Sequence, residues 1–188
     1  MREGFDRVRY AGFPIRLAAR LLDGGAMLAM LWLTGTVTGV LLRLTHATFV
    51  PPNETATSKA AMGIATLLAL TIYHSVAEGT GGATLGKWLL GLRVAKDDLT
   101  RCSFAAACVR NLGFWLDVFG LGLFGGIAMA ASPTKKRVGD KVAGTVVYDI
   151  SSVRREAPLP RVAPGIALGL VLFGVTEIAA LFGFARIG

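Results

Sequence analysis

Nineteen consecutive residues, 24–42, carry no charge, and a helix of that length crosses a hydrocarbon core about 30 Å thick, which takes roughly 17 to 25 residues. A second charge-free run fills residues 60–77, and a third apolar stretch, 162–185, is interrupted by one acid, Glu177. With no water in the bilayer to serve exposed peptide groups, such runs must be helical. The predicted class is therefore an all-α polytopic membrane protein with three transmembrane helices. Composition agrees: 53% of the 188 residues are hydrophobic and 17% charged, an excess of apolar surface that lipid must cover. Arg2, Arg7, Arg9, Arg16 and Arg20 precede the first run. That run is longer than the apolar core of a typical signal peptide and lacks a clear small-residue cleavage site, so an uncleaved anchor is expected.

Residues 104–131 are harder to place. They are long enough to cross, yet contain Arg110, Asp117 and glycines 120, 122, 125 and 126. Charge decides the reading. The segment before them holds Lys87, Arg93, Lys96 and Arg101, and the one after holds Lys135, Lys136, Arg137, Lys141, Arg154, Arg155 and Arg161. By the positive-inside rule both flanks are cytoplasmic, whereas a full crossing would put one of them outside. A re-entrant or interfacial helical hairpin turning near Gly120 and Gly122 keeps both inside. Two short β-type segments, 92–95 and 144–148, are predicted to pair as a small cytoplasmic β-element. The loop at 43–59, with only Arg43 and Lys59, is expected outside and the N-terminus in the cytoplasm. The net charge of +8 then finds its partner in anionic lipid headgroups. No signature of nucleic-acid binding accompanies it.

Several charges fall inside or beside the apolar runs. Arg16, Arg20 and Asp23 stand at i, i+4 and i+7, on one face of a helix entering the membrane. A charge at the centre of a bilayer costs about 2.5 to 3.5 kcal/mol on insertion scales, so Asp23 is expected to be paired with Arg16 or Arg20, protonated, or in a watery cavity. It either orients the helix or marks an ion or proton pathway. Arg110 and Asp117 repeat the i, i+7 spacing. This second charged face either meets the first inside a bundle or lies among headgroups. Glu177 is alone in the third run, either as a helix contact or as a further station on a pathway.

Other motifs carry less. GGATLGK, residues 81–87, has the spacing of a phosphate-binding loop, but Trp88 replaces the magnesium-binding hydroxyl and a transmembrane helix precedes it where a strand is required. The GxxxG pairs Gly35–Gly39, Gly122–Gly126 and Gly165–Gly169 permit close helix approach, first within the chain and second in an oligomer. Cys102 and Cys108 have no metal-ligand or disulfide spacing, and His46 and His74 are isolated. No cofactor, metal site or enzymatic constellation is expected.

Three stretches together resemble the RDD family of mostly bacterial integral membrane proteins. AGFPIRLAARLLDG (11–24) carries the arginine and aspartate of the signature as Arg16 and Asp23. EGTGGATLGKWLLGLRV (78–94) is similar to the family's acid, TLGK-type turn and GLRV strand, and RVGDKVAGTVVY (137–148) supplies the second aspartate, Asp140. Trp88, Lys141 and the added Arg20 depart from the pattern. The resemblance covers 11–148 as one membrane domain, followed by a basic, proline-containing linker at 149–163 and a further transmembrane helix at 164–186.

What the resemblance implies is a multi-pass protein of the inner (plasma) membrane, often associated with transport, with cation or proton exchange among the family's suggested roles. Asp140 is expected to cap a helix or clamp the basic loop. The expected functions are two: a small transporter or transporter subunit using Asp23, Arg20, Arg110, Asp117 and Glu177, or a non-catalytic scaffold or assembly factor. A homo-oligomer or a membrane partner protein is compatible with either.

Overall fold

A computed structural model of the chain describes residues 8–45, 49–50, 55–119, 123–153, 161–184 and 186–187. Three helices are long and apolar enough to span a bilayer. Helix α1 (Phe13–Leu44) begins with Pro14 in its first turn, where the missing N–H is no loss. After the short strand β1 (Phe49–Val50), α2 (Ala56–Gly81) starts at Thr55, whose hydroxyl accepts from the Ser58 N–H, and ends at Gly82 in the left-handed conformation, φ +73°. The third span is α7 (Val162–Phe184), followed by β4 (Arg186–Ile187).

These spans pack where side chains are small. A Cβ on Gly169 would lie 3.0 Å from the Tyr73 carbonyl oxygen, and one on Gly165 would collide with the Thr80 hydroxyl, so the Gly165–Gly169 pair seats α7 against α2. Met27, Ala69, Tyr73 and Phe173 close a core shared by all three helices. The pair Gly35–Gly39 behaves differently. Nothing lies within 4 Å of a Cβ at either position, so these glycines pack against no other described element. Of the third pair, Gly122 lies outside the described residues.

Between α2 and α7 the chain forms α3 (Leu85–Leu89), β2 (Leu92–Lys96), α4 (Phe104–Phe119), α5 (Leu123–Ala130), α6 (Val138–Val142) and β3 (Thr145–Asp149). Strands β2 and β3 pair antiparallel, Val94 opposite Val147, as the two β-type segments predict. The N-terminal segment joins them: Tyr10 bridges Tyr148, and the Ala11 N–H donates to the Val147 carbonyl at 2.9 Å. Lys136 adds an ion pair to Asp97 at 2.6 Å. At the other end, β1 pairs with β4. Strand β1 after α1 and the end of α7 therefore share one side of the membrane, while the segment from Val8 to Gly12 and the β2–β3 ribbon share the other.

This topology requires 104–131 to return to the side it left. Helix α4 has 16 residues, about 24 Å at 1.5 Å per residue, too short for a comfortable span. Helix α5 comes back against it, since a Cβ on Gly125 would lie 2.9 Å from the Asp117 carboxyl. The hairpin is present. Its predicted turn at 120–122 and the centre of the basic linker, 154–160, lie outside the described residues.

Candidate functional site

Asp23 is 1% exposed and is met by neutral groups. The Tyr73 hydroxyl donates to Oδ1 at 3.0 Å, the Gly86 N–H to the same oxygen at 2.8 Å, and the Thr84 hydroxyl to Oδ2 at 2.7 Å. His74 Nε2 stands 3.7 Å from Oδ2, its Nδ1 bonded to the Leu70 carbonyl. Three aligned donors solvate a carboxylate well enough to replace water. Asp23 thus ties α1 to α2 and to the first turn of α3. The tie depends on Gly86, because any Cβ there would fall on the Ala19 carbonyl of α1.

A second set of buried charges runs beside this clamp. Glu78, in the last turn of α2, binds Lys87, accepts from Asn111 Nδ2 at 3.0 Å and faces Arg110 Nε at 3.4 Å. Arg110 continues to Asp140 Oδ1 at 3.2 Å. The other Asp140 oxygen receives Arg16 Nη1 at 2.5 Å and the Arg137 N–H at 3.2 Å, while the Arg137 guanidinium lies 3.7 Å from Asp140 and 3.8 Å from Asp117. Lys87, Glu78, Arg110, Asp140, Arg137 and Asp117 thus form one chain of alternating sign, with Arg16 branching from Asp140.

Glycines again permit the approach. A Cβ on Gly113 would lie 2.6 Å from Gly139 Cα, so α4 and α6 touch backbone to backbone and Asp140 sits under Arg110. Burial by itself would raise the Asp140 carboxyl, but Arg110, Arg137 and Arg16 overcome it and hold the group well below the usual carboxylate range. Asp140 is therefore both the acid that reaches back to the N–H of Arg137, the N-cap residue of α6, and a clamp on three arginines.

Against this chain lies a cavity of about 350 Å³ between the start of α1, the second half of α4 and α5. Arg16, Arg20, Lys87, Arg110 and Arg137 line it, with Asp117 the one carboxylate among them. Phe13, Leu17, Phe114 and Met129 supply its apolar wall. Arg20 donates to Asn111 Oδ1 at 3.1 Å and stacks 4.2 Å from the centre of the Phe114 ring, and it makes no ion pair among the described residues. Arg110 Nη1 and Arg137 Nε are buried with no hydrogen-bond acceptor there. A second cavity of about 200 Å³ lies deeper along α1, near His74 and Trp115, and shares Arg20 and Phe114 with the first.

A sequence model of the RDD family matches residues 10–144 of the 188. The chain belongs to the RDD family. No curated protein and no solved structure matches it. Helix α7 lies beyond the matched stretch, yet packs along α2 as part of the same bundle.

The RDD signature residues occupy different places from those their spacing predicts. Arg16 and Asp23 are not partners. Arg16 bonds Asp140, the Ala11 carbonyl at 2.8 Å and the Lys135 carbonyl at 2.7 Å, while Arg20 turns to Asn111 and Phe114. The reason is helical: Cα–Cβ bonds tilt toward the N-terminus, so both arginines reach away from an acid that follows them. Arg110 and Asp117 likewise do not pair, Arg110 serving Glu78 and Asp140. Among the predicted pathway residues, Arg20, Arg110 and Asp117 meet at the cavity. Asp23 does not line it, and Glu177 contacts Thr66 at 3.3 Å between α2 and α7.

Asn111 and Arg137 carry no site role in the sequence, and Glu78 and Lys87 enter it only as the family's acid and as the lysine of the GxxxxGK spacing; all four belong to the site. Glu78 directly follows a charge-free run as Asp23 directly precedes one, and that symmetry was an available signal. Lys87 has its ammonium on Glu78, which leaves the GxxxxGK spacing without the free lysine a phosphate-binding loop needs.

Proposed function

We propose that this RDD protein is a small membrane transporter or transporter subunit whose site is the cavity among α1, α4 and α5, and whose cargo is an anion. The observation that carries the reading is charge: five cationic side chains and one carboxylate line a single ligand-sized cavity, and a dry wall strengthens such a field. The deeper cavity beyond Arg20 and Phe114 gives the ligand somewhere to go. The same charge disfavours the cation or proton exchange that the family resemblance implies. Asp23, saturated by neutral donors, has no free face for an ion.

The side carrying the N-terminus, hairpin and ribbon holds Arg9, Lys96, Arg101, Lys135, Lys136 and Lys141, against Arg43, Lys59 and Arg186 on the other. The positive-inside rule orients that side to the cytoplasm and fits a plasma-membrane location.

In liposomes, labelled inorganic phosphate or headgroup-labelled phosphatidylglycerol should cross at a rate that Arg20→Gln lowers about tenfold, a change of about 1.4 kcal/mol. Blank assays for both probes with folded protein would overturn the transport reading. One observation favours the scaffold alternative instead: Asp23, Glu78 and Asp140 all join elements together rather than line the cavity. That reading expects blank transport and a partner protein that co-purifies in fixed ratio.

A further inference from the structure

Resting on that reading of the cavity as an anion site, we infer that the anion is the phosphate headgroup of an anionic lipid, which enters sideways from the bilayer while its chains stay outside. Depth is the first argument. Helix α1 has 32 residues, about 48 Å, and its charge-free run begins only at Gly24. A hydrocarbon core of about 30 Å laid on that run leaves Phe13 to Arg20 at headgroup level, and these are the residues α1 gives to the cavity.

The mouth is the second argument. Phe13 and Leu17 line the cavity yet are 43% and 46% exposed, and Leu21, the next residue on the same stripe, is 68% exposed. An apolar rail at i, i+4 and i+8 therefore runs from the charged floor onto the outer surface of the span. A water-soluble anion has no use for such a lip. An amphiphile uses both parts at once, its phosphate on the arginines and its chain along Phe13, Leu17 and Leu21.

The floor is the third. Among the described residues Arg20 makes no ion pair, and Arg110 Nη1 and Arg137 Nε find no acceptor. These are donors only, and a phosphate brings the oxygens they lack in the geometry guanidinium groups favour. Asp117 stands 3.8 Å from Arg137, beyond hydrogen-bond range, and leaves Nε unserved. At about 350 Å³ the cavity is near the small end for ligand sites, suited to a headgroup with its chains outside.

The test uses the full-length protein in detergent, with melting temperature and native mass spectrometry as readouts. Phosphatidylglycerol should raise the melting temperature and be retained as bound mass, whereas phosphatidylcholine and millimolar inorganic phosphate should do neither. Arg20→Gln should weaken phosphatidylglycerol binding about tenfold. Leu17→Gln, on an exposed position, should weaken it while leaving any response to phosphate unchanged. If phosphate stabilises as well as the lipid, the anion site stands and the lipid inference falls. Equal binding of phosphatidylcholine removes the headgroup from the account, and no response to any of the three overturns both the inference and the reading beneath it.

Discussion

Asp23 and Asp140 are both buried acids of the RDD signature, 1% and 0% exposed, and they are stabilised in opposite ways. Asp23 receives a hydroxyl from Tyr73, a hydroxyl from Thr84 and a peptide N–H from Gly86, all neutral. Asp140 receives three guanidinium groups. The first arrangement satisfies the carboxylate oxygens within a closed clamp apart from the cavity, which leaves no face for a ligand although the charge itself is not cancelled. The second draws in more cations than the local acids neutralise, and the surplus faces a cavity. A buried acid is therefore not in itself a sign of an ion path; what matters is whether the groups gathered around it bring surplus charge to a cavity.

Asp140→Asn should have the largest effect. It would leave Arg16, Arg110 and Arg137 buried without their shared counter-charge, and breaking a buried pair in this way costs about 3 to 5 kcal/mol. Such a loss is a large part of an ordinary domain's stability of about 5 to 15 kcal/mol. The folded fraction after detergent extraction should fall sharply, and a wild-type melting curve would show that the arginines do not depend on Asp140. Because its folded-state pKa lies below the unfolded value of about 3.9, this pair contributes fully above that value and is lost only as pH falls through the lower one. Its contribution should thus stay constant between about pH 7 and pH 5.

Asp23→Asn should cost less, about 1 to 3 kcal/mol, since one acceptor oxygen remains but the new amide faces a donor. The variant should melt earlier and still bind the anion. Loss of anion binding in folded Asp23→Asn would remove the distinction between the two acids. Glu177→Gln should be smallest, within about 0.5 kcal/mol, with no change at the cavity, because Glu177 is a half-buried contact to Thr66 on the far interface. A large fall in anion binding by this variant would extend the site into the α2–α7 seam.

The three spans were legible because an uninterrupted apolar run has one stable form in lipid, and the hairpin because two basic flanks cannot lie on opposite sides without cost. The pairing of 92–95 with 144–148 followed from both being short β-type segments that had to share a side. Side-chain partners were less legible. Spacing put Arg16, Arg20 and Asp23 on one face, yet both arginines extend toward the helix N-terminus and find Asp140 and Asn111, which are 124 and 91 residues away in the chain. Contacts of that range follow from how α4 and α6 meet at Gly113 and Gly139, a close approach that no local pattern announces. The cavity itself is a product of such long-range contacts, so the charges were visible and their sum was not.

The most direct test of this division of labour is the rise in melting temperature that phosphatidylglycerol gives to wild type, Asp23→Asn and Arg20→Gln. Asp23→Asn should start lower and keep the full lipid-induced rise. Arg20→Gln, which gives up a stacking contact of about 0.5 to 1 kcal/mol and the hydrogen bond to Asn111 but no ion pair among the described residues, should start modestly below wild type and lose the rise. A full rise in Arg20→Gln, or its loss in folded Asp23→Asn, would contradict the account.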